Sequence, residues 1–392
     1  MNRHLLLLAL CQGFFLINNV TFIAVNGLAG LALAPMAWMA TLPVTGYVAG
    51  GALAAPLVAR HQRAWGRQRT FQLGIVVAIA STALCAYATS SRNFWLLVAA
   101  TVIAGYYNAN AGLYRFAATE LVNVSYKERA ISWVLAGGIL GAVIGPNLAL
   151  ATRDALPEPF AGAYLALVGV ALLALAVISL IPFPPLPLPT VSEPGRPLHE
   201  LARQPVFIVA VAGCALGYGV MNLLMAATPI AMSQCALPFS AAALVLEWHV
   251  LAMFVPSFFT GNLIRRLGAV PVMWAGVALN LACIAVALSG TDLTQFLVAL
   301  MALGLGWNFL YVGGTALFTG AYRPHEKTTA QAAMDTTVFA TMTVTSFASG
   351  ALVTTGGWTF MNIASLLPVL MLALALLWIG HVRRRAAAVS AA

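Results

Sequence analysis

Twelve apolar stretches, each long enough to cross the hydrocarbon core of a bilayer, take up nearly the whole of this 392-residue chain. They run at 5–33, 37–59, 71–90, 94–118, 130–151, 160–181, 205–233, 239–263, 270–289, 293–319, 328–353 and 358–380. A chain written this way has few ways to fold. Inside lipid every backbone N–H and C=O must find its partner within the protein, and a helix supplies all of them from its own segment. The expected fold is therefore an all-α polytopic membrane protein with twelve transmembrane helices. The charge count agrees: 10 acidic and 19 basic side chains make up only 7% of the chain, where soluble domains carry about 25%. The net charge of +9 does not indicate nucleic acid, because the basic residues are scattered and form no face with groove-reading elements. The expected surroundings are lipid bilayer, without nucleic acid, and the expected state is a monomer.

The basic residues instead mark orientation. With the N-terminus inside, inner segments hold 16 of the 19, from Arg3, Arg60, Arg63, Arg67 and Arg69 through to Arg383, Arg384 and Arg385, against Arg92 and Arg153 outside. Arg115 lies near the inner end of span 4. By the positive-inside rule both termini are cytoplasmic, in a bacterial inner membrane. The first stretch starts like a signal peptide, yet its apolar run continues to residue 33 with no small-residue cleavage site, so it reads as a span. The five cysteines, Cys11, Cys85, Cys214, Cys235 and Cys283, fall in or at the ends of spans; an odd number in apolar surroundings is no disulfide framework.

Seven of the chain's 20 prolines lie between residues 181 and 204. Proline at that density cannot continue a helix and favours an extended linker. The expected organisation is an N-terminal six-helix bundle at 1–182, a cytoplasmic linker at 183–204 and a C-terminal bundle with a short basic tail at 205–392. The halves repeat one another: Arg60 to Arg69 after span 2 matches Gly261 to Gly268 after span 8, and Tyr126-Lys-Glu128-Arg129 matches Tyr322 to Lys327. On these loops and the six-plus-six division the chain resembles the major facilitator superfamily of transporters. That resemblance implies two bundles rocking about a midplane site. The acidic residue that the family usually places in the loop after span 2 is missing.

Span 7 carries Cys214, Met221, Met225, Met232 and Cys235 within about an 80° stripe at 100° per residue. In span 8, His249 and Met253 stand four apart and share a face. Residues at equal distance from the turn near Leu237 lie at similar depth, which pairs Met225 with His249 and Met221 with Met253 in mid-membrane. Thioether and imidazole groups suit a soft ion such as Cu(I). Methionine also fills irregular gaps in ordinary cores, but a histidine at that depth is a functional candidate. The pairs Met221-x-x-x-Met225 and His249-x-x-x-Met253 resemble the paired motifs of the CcoA-type copper importers within that superfamily. The resemblance implies copper import by alternating access, supplying cbb-type cytochrome oxidase, with Met221, Met225, His249 and Met253 as transient metal ligands. Cys214, Met232 and Cys235 are accessory candidates. Copper, free or chelated, is then the cargo, and no cofactor is bound permanently.

Other polar residues within spans support a second reading, a proton-coupled antiporter of small organic compounds. Asp335 in span 11 is its candidate coupling group. Glu247 lies about 200° around the helix from His249, outside the metal site, and together with Arg115 and Glu120 is read as a gate or structural group. Asn18, Asn19, Asn108 and Asn110 either line the cavity or join helices. In span 5, Gly137, Gly141 and Gly145 before Pro146 resemble the glycine-proline motif of proton-coupled antiporters, though tight packing at the interface between the two domains explains the same spacing. No phosphate-cradling loop, nucleophile elbow or CxxC motif is present. The chain is therefore not expected to be an enzyme or an ATP-driven pump.

Overall fold

A computed structural model describes residues 3–123, 126–184, 196–323 and 326–391. Among them are thirteen α-helices and no strands. The first half holds α1 (Arg3–Leu33), α2 (Leu42–Ser90), α3 (Phe94–Ala111), α4 (Tyr114–Ala117), α5 (Lys127–Thr152) and α6 (Ala161–Ser179). The second holds α7 (Leu198–Leu201), α8 (Pro205–Gln234), α9 (Phe239–Phe254), α10 (Ser257–Leu267), α11 (Ala269–Ser289), α12 (Leu293–Phe318) and α13 (Lys327–Ala391).

Nine helical runs among the described residues are long and apolar enough to cross a membrane, or ten when the bent pair α9–α10 counts as one. Two of these ten are double. At 1.5 Å per residue α2 is about 73 Å long and α13 about 98 Å, against a hydrocarbon core of about 30 Å. Each is broken at a glycine of positive φ, Gly66 at 80° and Gly357 at 73°, a conformation that side chains disfavour. Ten runs with two doubled give the twelve passages expected from hydropathy.

α1 packs on α5 and α2 on α3 in the first bundle, while α8 packs on α13 and α12, and α11 on α12, in the second. Small residues let these backbones meet. A Cβ added to Gly137 would lie 2.0 Å from the Ala9 carbonyl oxygen, and one on Gly141 would lie 2.4 Å from Leu16 Cβ. The glycine ladder of α5 is therefore the surface on which α1 rests.

Each bundle also carries an amide at an equivalent place. The Asn110 amide donates to the Thr70 carbonyl at 2.6 Å, just past the Gly66 break. In the second bundle the Asn308 amide donates to the Met253 carbonyl at 2.8 Å and to Ser257 Oγ at 2.7 Å. Pro256 cannot donate a backbone hydrogen bond, and α9 and α10 bend there by 42°. Asn308 thus satisfies a carbonyl at the bend, which a lipid-embedded helix could not leave bare. Asparagines 198 positions apart, 110 and 308, hold the corresponding helix pairs of the two halves.

We use "basic end" for the side bearing Arg60 to Arg69 and Arg265, and "far end" for the other. The bonds that join the bundles gather in the far half. Thr41 Oγ1 donates to the Ser346 carbonyl at 2.7 Å and accepts from the Gly350 N–H at 3.0 Å. Phe160 meets Phe239 edge-on at 5.2 Å, and the Arg153 guanidinium lies over both rings. Asn147 Nδ2 donates to Glu247 at 2.9 Å.

At the basic end, the segment just before α8, assigned to the linker from sequence, is docked on the second bundle. Arg196 forms a two-pronged pair with Glu326, with both bonds at 2.7 Å, and Gln204 Nε2 donates to the Ala321 carbonyl at 3.1 Å. Leu201 is fully buried. Residues 185–195, most of the proline-rich run, lie outside the described residues. The Arg196 guanidinium and the N–H groups of Arg196 and Arg323 hold the Glu326 carboxyl well below the ordinary carboxylate range. A carboxyl depressed in the folded state adds stability above its unfolded pKa, about 4.3, and loses that contribution as pH falls further. Glu326→Gln is therefore expected to lower the melting temperature at pH 7, and the gap from wild type should narrow as pH is taken below about 4.3. Thermal melting of the detergent-solubilised protein across that range checks this.

Candidate functional site

The residues read as copper ligands all lie inside the second bundle. Met221, Met225, Met232 and Met253 are 1%, 4%, 0% and 5% exposed, and His249 is fully buried. α8 and α9 touch one another little; both pack far more on α12. His249 Nδ1 bonds the Leu300 carbonyl of α12 at 2.7 Å, which fixes the proton on Nδ1 and leaves Nε2 as an acceptor; Nε2 is buried without a hydrogen-bond partner. Cys214 Sγ points to α12 as well, 3.7 Å from the Tyr311 carbonyl and 3.8 Å from Thr315 Oγ1. Cys235 is half-buried at the α8 C-cap. Among the described residues no three His, Cys, Asp or Glu side chains gather as a metal-holding group.

The other polar candidates divide into joints and cleft groups. Glu120 pairs with Arg67, at 2.6 Å and 3.1 Å, and Arg67 also bonds Gln62. This is a joint within the first bundle. Asn110 belongs to the joint already described, and Asn19 Nδ2 donates to the Tyr47 hydroxyl at 3.3 Å. Glu247 is half-buried and accepts from Asn147 across the seam, so it links the bundles and is no ion pair.

Arg115 and Asp335 stand apart from these joints. Arg115 comes from the first bundle, beside Tyr311 of the second, close enough for its charge to act on Tyr218, Tyr311 and Asp335. The four ion pairs among the described residues do not include it. Asp335 is exposed and lies within reach of the Arg115 charge without an ion pair between the two. Counted along their helices from the basic end, Asp335 is about 12 Å deep and Tyr218 about 20 Å.

Against Arg115 stands a cluster of three aromatic rings. Trp307 and Tyr311, four apart on α12, stack with ring centres 5.2 Å apart and planes 9° from parallel. Tyr218 of α8 meets both edge-on, at 5.2 Å and 5.4 Å, and Phe254 of α9 closes on Trp307 at 6.1 Å. Trp307 is 6% exposed, while Tyr218 and Tyr311 are half-buried. The indole Nε1 and Arg115 Nε are both buried without a hydrogen-bond partner. Aromatic faces, two donors and one carboxylate at the junction of two bundles suit a flat organic solute with polar edges. The sequence reading passed over this cluster. Its available signal was the i,i+4 aromatic pair on span 10, which shares one helix face.

Comparison with known proteins places this geometry. The sequence profile described as Major Facilitator Superfamily matches residues 5–246. The riboflavin transporter RfnT of Brucella anthropi is 37% identical over 363 residues, 92% of this chain and 91% of that protein. Among solved structures, a D-xylose-proton symporter superposes with a TM-score of 0.72 at 13% identity, covering 94% of this chain and 96% of its own. The nucleoside transporter NupG superposes with a TM-score of 0.71 at 12% identity, covering 96% and 99%. At such identities the two structures speak for the fold alone.

Proposed function

Because the chain belongs to the major facilitator superfamily, a family of multi-pass secondary transporters, we propose that it carries a flat aromatic solute of the flavin class, riboflavin first, across the bacterial cytoplasmic membrane. The observation that carries this reading is the Tyr218–Trp307–Tyr311 cluster facing Arg115 at the bundle junction. The similarity to a riboflavin transporter over nine-tenths of both chains supports it. Stacking on aromatic rings holds the tricyclic plane, and the partly exposed tyrosines give it a way in from the basic end. Asp335, the carboxylate nearest that charge, is the proposed proton-coupling group. Proteoliposomes loaded with unlabelled riboflavin are expected to accumulate labelled riboflavin by counterflow, an assay that works whatever the direction in the cell. Absence of counterflow in folded, reconstituted protein would overturn the reading.

A second reading keeps copper as cargo. One observation favours it, the buried and unpartnered Nε2 of His249 in a core that also holds Met221, Met225 and Met253. The relatives above lend no support to the resemblance to CcoA-type importers. On the flavin reading, His249→Ala and Met225→Leu leave cellular copper unchanged when expression is normal. A fall in copper accumulation in both would favour the copper reading instead.

A further inference from the structure

We infer that the cleft selects its ligand by the carbonyl edge of the ring system, with Trp307 Nε1 and Arg115 Nε as the two donors that read it. The inference rests on the transport reading above, deepens it to a recognition rule, and names two specificity-determining residues.

Both atoms are buried, and neither has an acceptor within the protein. Indole and guanidinium groups can only donate. Folded proteins rarely leave such donors bare, because desolvating an N–H without replacing its water bond is costly. They come from different bundles and meet the same aromatic cluster: Trp307 stacks on Tyr311, and Arg115 sits beside that tyrosine. Both are covered as the junction stands, so the ligand we infer displaces that cover as it settles on the rings and offers its rim to both. Asp335 faces the same guanidinium, so the corner is close to neutral and suits uncharged acceptors better than an anion. A planar aromatic with carbonyl oxygens on one edge meets every one of these conditions; a bare hydrocarbon or azine plane meets only the stacking.

The test separates edge from face. Lumichrome has the tricyclic plane with two ring carbonyls and no sugar-alcohol chain; phenazine has a three-ring plane without carbonyls. Binding of each to the purified full-length protein is measured by quenching of intrinsic tryptophan and ligand fluorescence. Wild type is expected to bind lumichrome at least about tenfold more tightly than phenazine, one hydrogen bond's worth of discrimination. Trp307→Phe keeps a ring and removes the donor, and Arg115→Gln removes the guanidinium. Each is expected to weaken lumichrome about tenfold and leave phenazine within about twofold. A wild-type ratio near one, or equal weakening of both probes in both variants, overturns the inference. Should Trp307→Phe lose both probes through misfolding, Arg115→Met against Arg115→Lys decides. Lysine is expected to retain the lumichrome preference and methionine to lose it; identical behaviour overturns the inference. Riboflavin counterflow is read separately on wild type. Its failure removes riboflavin as cargo and leaves the binding ratio standing, whereas a ratio of one beside intact counterflow removes the edge rule alone.

Discussion

Tyr311→Ala is expected to weaken flavin counterflow by about ten- to hundredfold at sub-saturating substrate, the loss that follows when an aromatic platform is taken from under a ring worth about 1–3 kcal/mol of stacking. Tyr311 suits this experiment because of where its ring lies. One face stacks on Trp307 and the side chain is half-buried, so truncation opens the cleft wall without emptying the core behind it. Tyr311→Phe keeps the face and should retain counterflow within about threefold, since the hydroxyl it gives up is turned to the Arg115 guanidinium and the stacking surface is unchanged. Initial counterflow rates over a range of substrate concentrations distinguish the two variants. Equal, near-wild-type behaviour of Ala and Phe would place the substrate elsewhere in the bundle junction.

The second large effect lies outside the site. Gly105→Leu is expected to yield no monodisperse protein, and even Gly105→Ala should lower stability by about 1–3 kcal/mol or more. A Cβ on Gly105 would lie 2.3 Å from the Gly50 carbonyl carbon and 2.3 Å from the Gly51 nitrogen. These are backbone atoms of α2 in its own closest approach, so no side chain can swing aside to make room. Gly169 in α6 is the internal control, because nothing lies within 4 Å of a Cβ placed there. Its replacement by alanine should be neutral or stabilising by up to about 1 kcal/mol, the helix-propensity difference. Elution profiles and melting curves in the same detergent compare the variants. A Gly105→Ala protein as stable as Gly169→Ala would mean that the α2–α3 crossing is looser than described.

The contrast between these two predictions follows what a one-dimensional pattern can hold. Span boundaries were legible because lipid imposes a length and a polarity on each segment independently. The reading of 205–233 meets α8 at Pro205–Gln234, and 270–289 meets α11 at Ala269–Ser289. The glycine ladder of span 5 was also legible as a packing surface, since its four-residue spacing is local to one helix, but its partner was not: it is α1 of the same bundle and not the other domain. The site was not, because it depends on which helices become neighbours. Depth matching between spans 7 and 8 assumed that helices adjacent in sequence face one another along their length. In the structure α12 packs on both, and the aromatic side chains that look across to Arg115 come from α12 and α8. Arg115 was noticed for its charge, but its counterpart Tyr311 has no charge to draw attention. Asn110 and Asn308 show the same limit from the other side. Each is an unremarkable amide until the break it covers, at Gly66 or Pro256, is seen beside it.

The clamp between Arg196 and Glu326 fixes the leash between the two halves. Ile181 is buried in the first bundle, and if free chain ran from there to the start of α8 at Pro205 it would cover 24 steps, about 80 Å at full extension. Because Arg196, Leu201 and Gln204 are held on the second bundle, only 15 steps separate the two anchored ends, about 50 Å at full extension. Six of the chain's 20 prolines fall within those 15 steps, and each fixes its own φ. However the two halves move, the distance between those ends at the basic side is capped by a strap whose second anchor is the Arg196–Glu326 pair, backed by Leu201 and Gln204.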